Sequence, residues 1–373
     1  SSAIIEATLG QMYKEEKDGQ YRGGPAFYIL KGLRSKTFAW TFAIVTIIST
    51  GFLLPSVQSN SIAVAVESSF GLSPYLIGVL LSVLLAFIII VGVNRISKIP
   101  EFVVTIMAGL YIFMALIIIG MNFQQIPAVF GLIFKSALNL EASFGAIVGT
   151  AIAWGVKRGI YSNEAGQGTA PHAASAAEVS HPIKQGLVQG FSVYVDTLFV
   201  CTATALMILF TGQYNVVNPE GGFIVHNLPD IEMGPAYTQY AVSHHFPIMG
   251  GPFVAIALTF FAFTTIMAYY YIAETNISFI QSRKTAKILL YGLRLLIVIS
   301  VFIGCITTAK TAWDLGDIGV GLMAWLNLIA ILLLHKKVLV LFRDYNEQHK
   351  AGKDPKFSNK KLNFPNMEFW NKN

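Results

Sequence analysis

Residues 155–178 combine glycines, charges and a proline in one stretch, GVKRGIYSNEAGQGTAPHAASAAE. The stretch holds four glycines, the basic pair Lys157-Arg158 and the polar pair Asn163-Glu164, a set that a regular spanning helix would not carry. Broken backbone at membrane depth has free N–H and C=O groups and is tolerated only where it lines a cavity or is buried in protein. The segment therefore predicts a binding site. The alternative is a tightly packed helix followed by a turn.

The amino-acid composition indicates what kind of secondary structure surrounds this segment. Of 373 residues, 54% are hydrophobic and 12% are charged. The charged share is about half of the ~25% found in ordinary soluble domains, which excludes a single soluble globule. The 13% aromatic content excludes disorder. Apolar runs of roughly 20 residues predict an all-α polytopic membrane protein. The two cysteines, Cys201 and Cys305, lie in apolar segments and predict no disulfide framework.

Eight apolar segments are predicted to span the membrane. They are 37–66, 75–93, 101–121, 142–160, 183–211, 251–279, 286–306 and 315–335. Residues 1–12 are too short to cross, and we interpret them as the end of a span that begins earlier, so that the chain is N-terminally incomplete. Residues 336–373 are polar and form a predicted cytoplasmic tail.

Basic residues alternate from one loop to the next. The segments 13–36, 94–98, 157–184 and 281–287, together with the tail after 335, contain 23 of the 26 Lys and Arg residues. The positive-inside rule therefore places these loops and the C-terminus in the cytoplasm. The predicted location is the plasma membrane. The net charge of +6 is an orientation signal and predicts no nucleic-acid partner. The sequence contains no GxxxxGK[ST] motif, so ATP is not the predicted energy source.

Several sequence blocks resemble the alanine/glycine:cation symporter family, the sodium:alanine symporters. The most specific is SNEAGQGTAP with the preceding GVKRG, and others are ATLGQMYKEE, YRGGPAFYI, VQSNSIA, VDTLFVCTATALMIL and FAFTTIMAYYYIAE. The resemblance implies a five-plus-five inverted-repeat bundle with 142–335 as the second repeat, and it implies that the first, interrupted core helix is absent from this chain. Leu54-Pro55 and Tyr269 depart from the family pattern, and the second departure suggests a changed floor of the substrate pocket.

The resemblance also implies where sodium and substrate bind. Similar transporters use a pair of hydroxyls such as Thr264 and Thr265 for sodium, a hard cation that requires several oxygen ligands. The alternative is that these threonines hydrogen-bond only to backbone carbonyls of their own helix. Tyr269 lies one turn beyond Thr265 on the same face. The remaining predicted substrate residues are Gln58, Asn60, Gly149, Thr150 and Trp154. Gln58 and Asn60 could equally serve as hydrogen-bonding contacts between helices.

Three polar residues are candidates for a gate or a charge relay. Asn163 and Glu164 follow Lys157-Arg158 and suit a cytoplasmic gate. Asp196 lies in the middle of a predicted span, where a lone carboxylate costs roughly 2.5–3.5 kcal/mol and must face protein or water. It could balance sodium or a substrate ammonium group, relay a proton, or pair with nearby donors.

Together these features predict a secondary transporter that couples sodium flow to uptake of a small neutral amino acid, alanine or glycine, by alternating access. Sodium is the coupling ion, no other metal or cofactor is predicted, and the lipid bilayer is the remaining partner. The oligomeric state is not indicated. Two alternatives remain. A polytopic membrane enzyme would need a nucleophile–base pair at membrane depth, and an ion channel would need filter rings that the sequence does not display.

Overall fold

The structure is a computed structural model. It describes residues 2–17, 19–91, 98–138, 144–217, 221–229, 231–232, 234–280 and 283–371. At 98–101, 138, 144–151, 283–286 and 361 the description covers the backbone only.

Within the described residues, seven helices are long and apolar enough to cross a bilayer. They are Lys36–Phe70, Pro74–Val91, Phe102–Met121, Pro182–Thr211, Gly250–Ile280, Lys287–Ile306 and Ala309–Lys350. Only helices and closed barrels satisfy every backbone hydrogen bond inside lipid, so apolar runs of this length become helices. The prediction of a helical integral membrane protein is confirmed.

The helices are numbered in chain order. They are α1 (Ser2–Met12), α2 (Pro25–Tyr28), α3 (Lys36–Ile48), α4 (Leu54–Phe70), α5 (Pro74–Val91), α6 (Lys98–Met121), α7 (Ile126–Leu138), α8 (Phe144–Asn163), α9 (Ala170–Ala176), α10 (Pro182–Val195), α11 (Thr202–Thr211), α12 (Ala236–His245), α13 (Gly250–Ile280), α14 (Arg283–Ile306), α15 (Ala309–Lys350), α16 (Asn359–Leu362) and α17 (Glu368–Asn371). Wider π-helical turns at Ile29–Leu33, Ser49–Leu53 and Asp196–Cys201 follow α2, α3 and α10.

Two short antiparallel hairpins lie between helices. Strand β1 (Glu15–Lys17) pairs with β2 (Gln20–Arg22), with Glu15 opposite Arg22. Strand β3 (Asn215–Val217) pairs with β4 (Phe223–His226) in the long loop that precedes α12.

Two large apolar clusters hold the bundle together. One joins α4, α5, α13 and α14 through buried residues that include Leu85, Ile266 and Ile297. The helices approach closely there, because a Cβ on Gly304 of α14 would lie 2.2 Å from the Ser59 hydroxyl of α4. The second cluster joins α1, α3 and α15 with the segment that follows α15. The broken segment lies beside this second cluster, because Phe42 borders Gly168.

Candidate functional site

The backbone is broken between α8 and α9. Helix α8 ends at Asn163 and α9 begins at Ala170. Between them φ is positive at Glu164 (55°), Gly166 (90°) and Gly168 (92°). Glycine adopts this region without steric cost, whereas a glutamate there is uncommon. The glycine-broken segment expected from the sequence therefore ends one helix and starts the next.

A buried carboxylate from α1 caps the break. Glu6 accepts hydrogen bonds from the backbone N–H of Gly166 at 2.8 Å and of Gly168 at 3.2 Å. It also accepts one from the Asn327 amide of α15 at 2.7 Å. That amide donates to the Gly166 carbonyl at 3.0 Å, and the Tyr28 hydroxyl donates to Asn327 Oδ1. Glu6 satisfies donors that the break would otherwise leave unpaired in an apolar interior.

Sequence reasoning missed Glu6. The available signal was one acid within the apolar run SSAIIEATLGQM, since carboxylates at membrane depth usually have a specific partner. The spacing of residues could not identify Gly166 and Gly168 as those partners.

The end of α8 is tied to the π-helical turn that starts at Asp196. The Ser162 hydroxyl donates to Asp196 Oδ2 at 2.8 Å, and the Asn163 amide donates to the Thr197 hydroxyl at 3.3 Å. The Thr202 hydroxyl donates to the Thr197 carbonyl at 2.9 Å. Asp196 therefore pairs with a neighbouring donor, one of the roles the sequence left open. π-Turns inside helices occur frequently at functional sites.

Glu164 and Tyr269, predicted for separate roles, are brought together. The Tyr269 hydroxyl of α13 donates to Glu164 Oε1 at 3.4 Å, and the Thr169 hydroxyl donates to Glu164 Oε2 at 2.5 Å. The Gln58 side chain of α4 also approaches the Tyr269 hydroxyl. The Tyr161 hydroxyl of α8 is buried and has no hydrogen-bond partner among the residues that the structure describes. A carboxylate, two phenols and an amide thus surround a small polar region, which suits the ammonium and carboxylate groups of an amino acid.

Thr264 and Thr265 lie on α13 just before this cluster. Their hydroxyls donate to carbonyls of the preceding turn: Thr264 to Phe260 and Phe261, and Thr265 to Phe261, each at 2.9 Å. These bonds use the hydroxyl protons and leave oxygen lone pairs available to a cation.

The other predicted substrate residues lie in different surroundings. The Asn60 amide donates to the Gly304 and Thr307 carbonyls at 3.2 and 2.7 Å, so it closes the end of α14. Trp154 is 53% exposed and lies beneath the charges of Lys157 and Arg158, at 5.1 and 5.3 Å from its ring centroid. Gly149 and Thr150 belong to α8, and at these two residues the structure describes the backbone only.

Lys157 and Arg158 lie at the end of the bundle opposite the C-terminal tail. Both contact Asp317 Oδ2, at 2.7 and 3.0 Å, near the start of α15. Together with Lys310 and Asp314 they line a cavity of about 270 Å³. Counting basic residues in the sequence places both cations at the end of the bundle where the C-terminal tail lies, which we call the tail side. The structure corrects this placement. They are paired within protein, so they do not report on loop orientation.

A larger cavity of about 470 Å³ lies beside the threonine pair. Its lining includes Ser61, Thr204, Phe261 and Trp313, but neither Glu164 nor Tyr269. The Trp313 ring stands 5.0 Å from the Tyr161 ring, measured between centroids. Trp313 therefore contacts Tyr161 of the polar cluster and also lines the cavity.

A bundle of apolar helices, with one helix broken at a buried polar cluster, defines a polytopic helical membrane transporter. The profile of the sodium:alanine symporter family matches residues 1–359, and the chain belongs to that family. The family resemblance drawn from the sequence is confirmed. The family consists of symporters, so the alternative of a membrane enzyme is excluded.

Three curated relatives align over almost the whole chain. The putative sodium/proton-dependent alanine carrier protein YrbD of Bacillus subtilis is 57% identical over 372 residues, which are 100% of this chain and 77% of YrbD. The sodium/proton-dependent alanine carrier protein of Bacillus sp. (strain PS3) is 48% identical over 99% of this chain and 83% of its own length. The probable sodium/glutamine symporter GlnT of B. subtilis is 40% identical over 99% of this chain and 74% of GlnT.

Proposed function

We propose that this protein imports a small neutral amino acid, with alanine as the first candidate, by symport with sodium. The observation that carries the proposal is the meeting of Glu164 at the break with Tyr269 of α13, one turn beyond Thr265. The solute and the cation would thereby share one helix face. The two alanine carriers among the relatives support alanine, and GlnT keeps glutamine as a competitor. Glycine is a third candidate.

The chemistry of each side chain suggests its role in binding sodium or the solute. Thr264 and Thr265 would supply hydroxyl oxygens to sodium, which requires an oxygen cage. Glu164 and Asp196 would balance positive charge, and Gln58, Tyr161 and Tyr269 would orient the polar groups of the solute. A role for Trp154, Gly149 and Thr150 in binding stays a prediction, and so does a gating role for Asn163.

The proposed mechanism is alternating access in a five-plus-five inverted-repeat bundle, with 142–335 as the second repeat. The break between α8 and α9, whose backbone N–H groups donate to the buried Glu6, supports this architecture. Arg158, which pairs with Asp317, lies over the Tyr161 and Trp313 rings, and separation of these rings would admit the solute. The basic loops support a plasma-membrane orientation with a cytoplasmic C-terminus.

Uptake of labelled alanine by proteoliposomes tests the proposal. An inward sodium gradient should drive alanine above its external concentration, whereas an equal choline gradient should only equilibrate it. Unlabelled glycine, serine and glutamine as competitors rank the substrates. Alanine accumulation that is independent of sodium would contradict the proposal, and so would leak of sodium without alanine, which is the behaviour of a channel.

A further inference from the structure

The chain after α15 folds back onto the tail-side end of the bundle. The Phe357 N–H donates to the Ser180 carbonyl at 2.8 Å, and the Ser180 hydroxyl donates to the Pro355 carbonyl at 3.0 Å. Lys184 Nζ lies 2.5 Å from Asp354 Oδ1. These contacts fix the segment to the start of α10.

The last described residues close over the end of α1. The Trp370 indole N–H donates to the Gln11 carbonyl at 2.9 Å, and the Asn366 amide donates to the Lys31 carbonyl at 3.1 Å. Met367 and Trp370 are 0% and 7% exposed, so this polar tail buries apolar side chains at the protein surface. A tail that only trailed into solvent would leave them exposed.

Lys14 is the centre of this contact. Its ammonium group lies 4.4 Å from the Phe369 ring centroid and 4.5 Å from that of Tyr21, and it donates to the Ala177 carbonyl at 3.0 Å. Burial lowers the pKa of Lys14 to about 8, with the carboxylate of Glu178 acting in the opposite direction. The aromatic faces attract the cation and offset part of its lost hydration.

The carbonyl that Lys14 binds also joins α1 to α9. The Gln11 amide donates to the Ala177 carbonyl at 2.8 Å and to the Ala174 carbonyl. Helix α9 follows the break directly and α1 carries Glu6, which caps the break. The segment 354–371 therefore covers the contact between α1, which carries Glu6, and α9, which follows the break.

We propose that residues 354–371 form a clasp that keeps the tail-side end of α1 and the α9–α10 junction together, and that this clasp must open before solute leaves the site toward the tail side. The proposal rests on the transport function proposed above. The family match ends at residue 359, so the part of the clasp that contacts Lys14 and Gln11 lies outside it.

A reversible covalent lock tests the clasp. In a background with both native cysteines replaced by serine, Ser180→Cys and Lys356→Cys are joined by a short bis-methanethiosulfonate reagent. We expect sodium-driven alanine uptake to fall at least tenfold and to recover when reductant is added. The matched control joins Gln348→Cys to Lys356→Cys, whose contact of 2.9 Å lies within the tail itself, and should leave uptake unchanged. Unchanged uptake by the locked protein would overturn the proposal.

A second measurement does not depend on transport. Ser175 is fully buried on α9, and Ser175→Cys in the same background reports access from the tail side through its rate of labelling by an impermeant maleimide. Trp370→Ala should raise that rate at least tenfold, whereas Trp325→Ala, at a side chain 74% exposed, should not. Equal labelling in Trp370→Ala and the parent would overturn the clasp. If Trp370→Ala raises the labelling rate as expected but the parent shows no sodium-driven uptake, the proposed function would be contradicted and the clasp would not.

Discussion

The Tyr269 hydroxyl donates a 3.4 Å hydrogen bond to Glu164, and so joins the middle of α13 to the break between α8 and α9. Glu164 keeps a second donor, the Thr169 hydroxyl, at 2.5 Å. A change at Tyr269 therefore alters the cluster without leaving the carboxylate unpaired. Substitution at this position separates a binding role from a folding role.

Tyr269→Phe should weaken alanine binding while the protein stays folded. Loss of one hydrogen bond is worth about 1 kcal/mol, so the half-saturating alanine concentration should rise roughly fivefold. Initial uptake rates over a range of alanine concentrations measure this. Tyr270→Phe is the matched control, because its hydroxyl accepts from Arg294 of α14 and not from the break. An equal effect of both variants would remove Tyr269 from the site.

Glu6→Ala should cost most of the folded protein. The variant leaves the N–H groups of Gly166 and Gly168 without their acceptor and removes one of two acceptors of the Asn327 amide, and each buried unsatisfied donor costs about 1–3 kcal/mol. Yield and melting temperature in detergent report the loss. Glu6→Gln keeps one acceptor oxygen and should be intermediate, and the exposed Glu67→Gln should resemble the parent. A normal melting temperature for Glu6→Ala would mean that Glu6 does not support the break.

Asp196→Asn should preserve the fold and impair sodium-driven uptake. Asparagine retains an oxygen that can accept from Ser162, so the packing at the π-turn survives while the negative charge is lost. Parallel measurements of melting temperature and uptake distinguish the two roles. A lower melting temperature with normal uptake per folded molecule would assign Asp196 a structural role only.

His181 makes stability depend on pH. Its Nδ1 accepts from the Ile183 N–H at 3.2 Å at the start of α10, and burial lowers the pKa of His181 from 6.5 to about 4. The unfolded chain therefore binds more protons between pH 6.5 and 4, and stability should fall as pH decreases through that window. Melting curves at several pH values measure this. His181→Asn keeps a capping acceptor that does not titrate, and an identical acid slope in that variant would exclude His181 as the cause.

The broken segment can be predicted from the sequence, whereas the residues that hydrogen-bond to it cannot. Glycines at 166 and 168 indicate irregular backbone, because they permit the left-handed conformation observed there. Glu6 reaches the break from 160 residues away, a distance in sequence that no local pattern encodes. Lys157 and Arg158 were assigned to the wrong end, because counting charges treats every cation as part of a loop. Their pairing with Asp317 depends on how α8 packs against α15.

Reciprocal binding of sodium and alanine tests the central claim most directly. If Thr264 and Thr265 bind sodium beside the solute, saturating sodium should tighten alanine binding, and saturating alanine should tighten sodium binding by the same factor. Calorimetry on the purified protein measures both. Thr265→Ala should weaken sodium binding about tenfold, a change of about 1.4 kcal/mol, and Thr265→Ser should retain most of it. Thr259→Ala, which removes a hydroxyl bonded to the Ala255 carbonyl at 2.7 Å on the same helix, should leave the sodium affinity unchanged. An alanine affinity that is the same with and without sodium would contradict the coupled site.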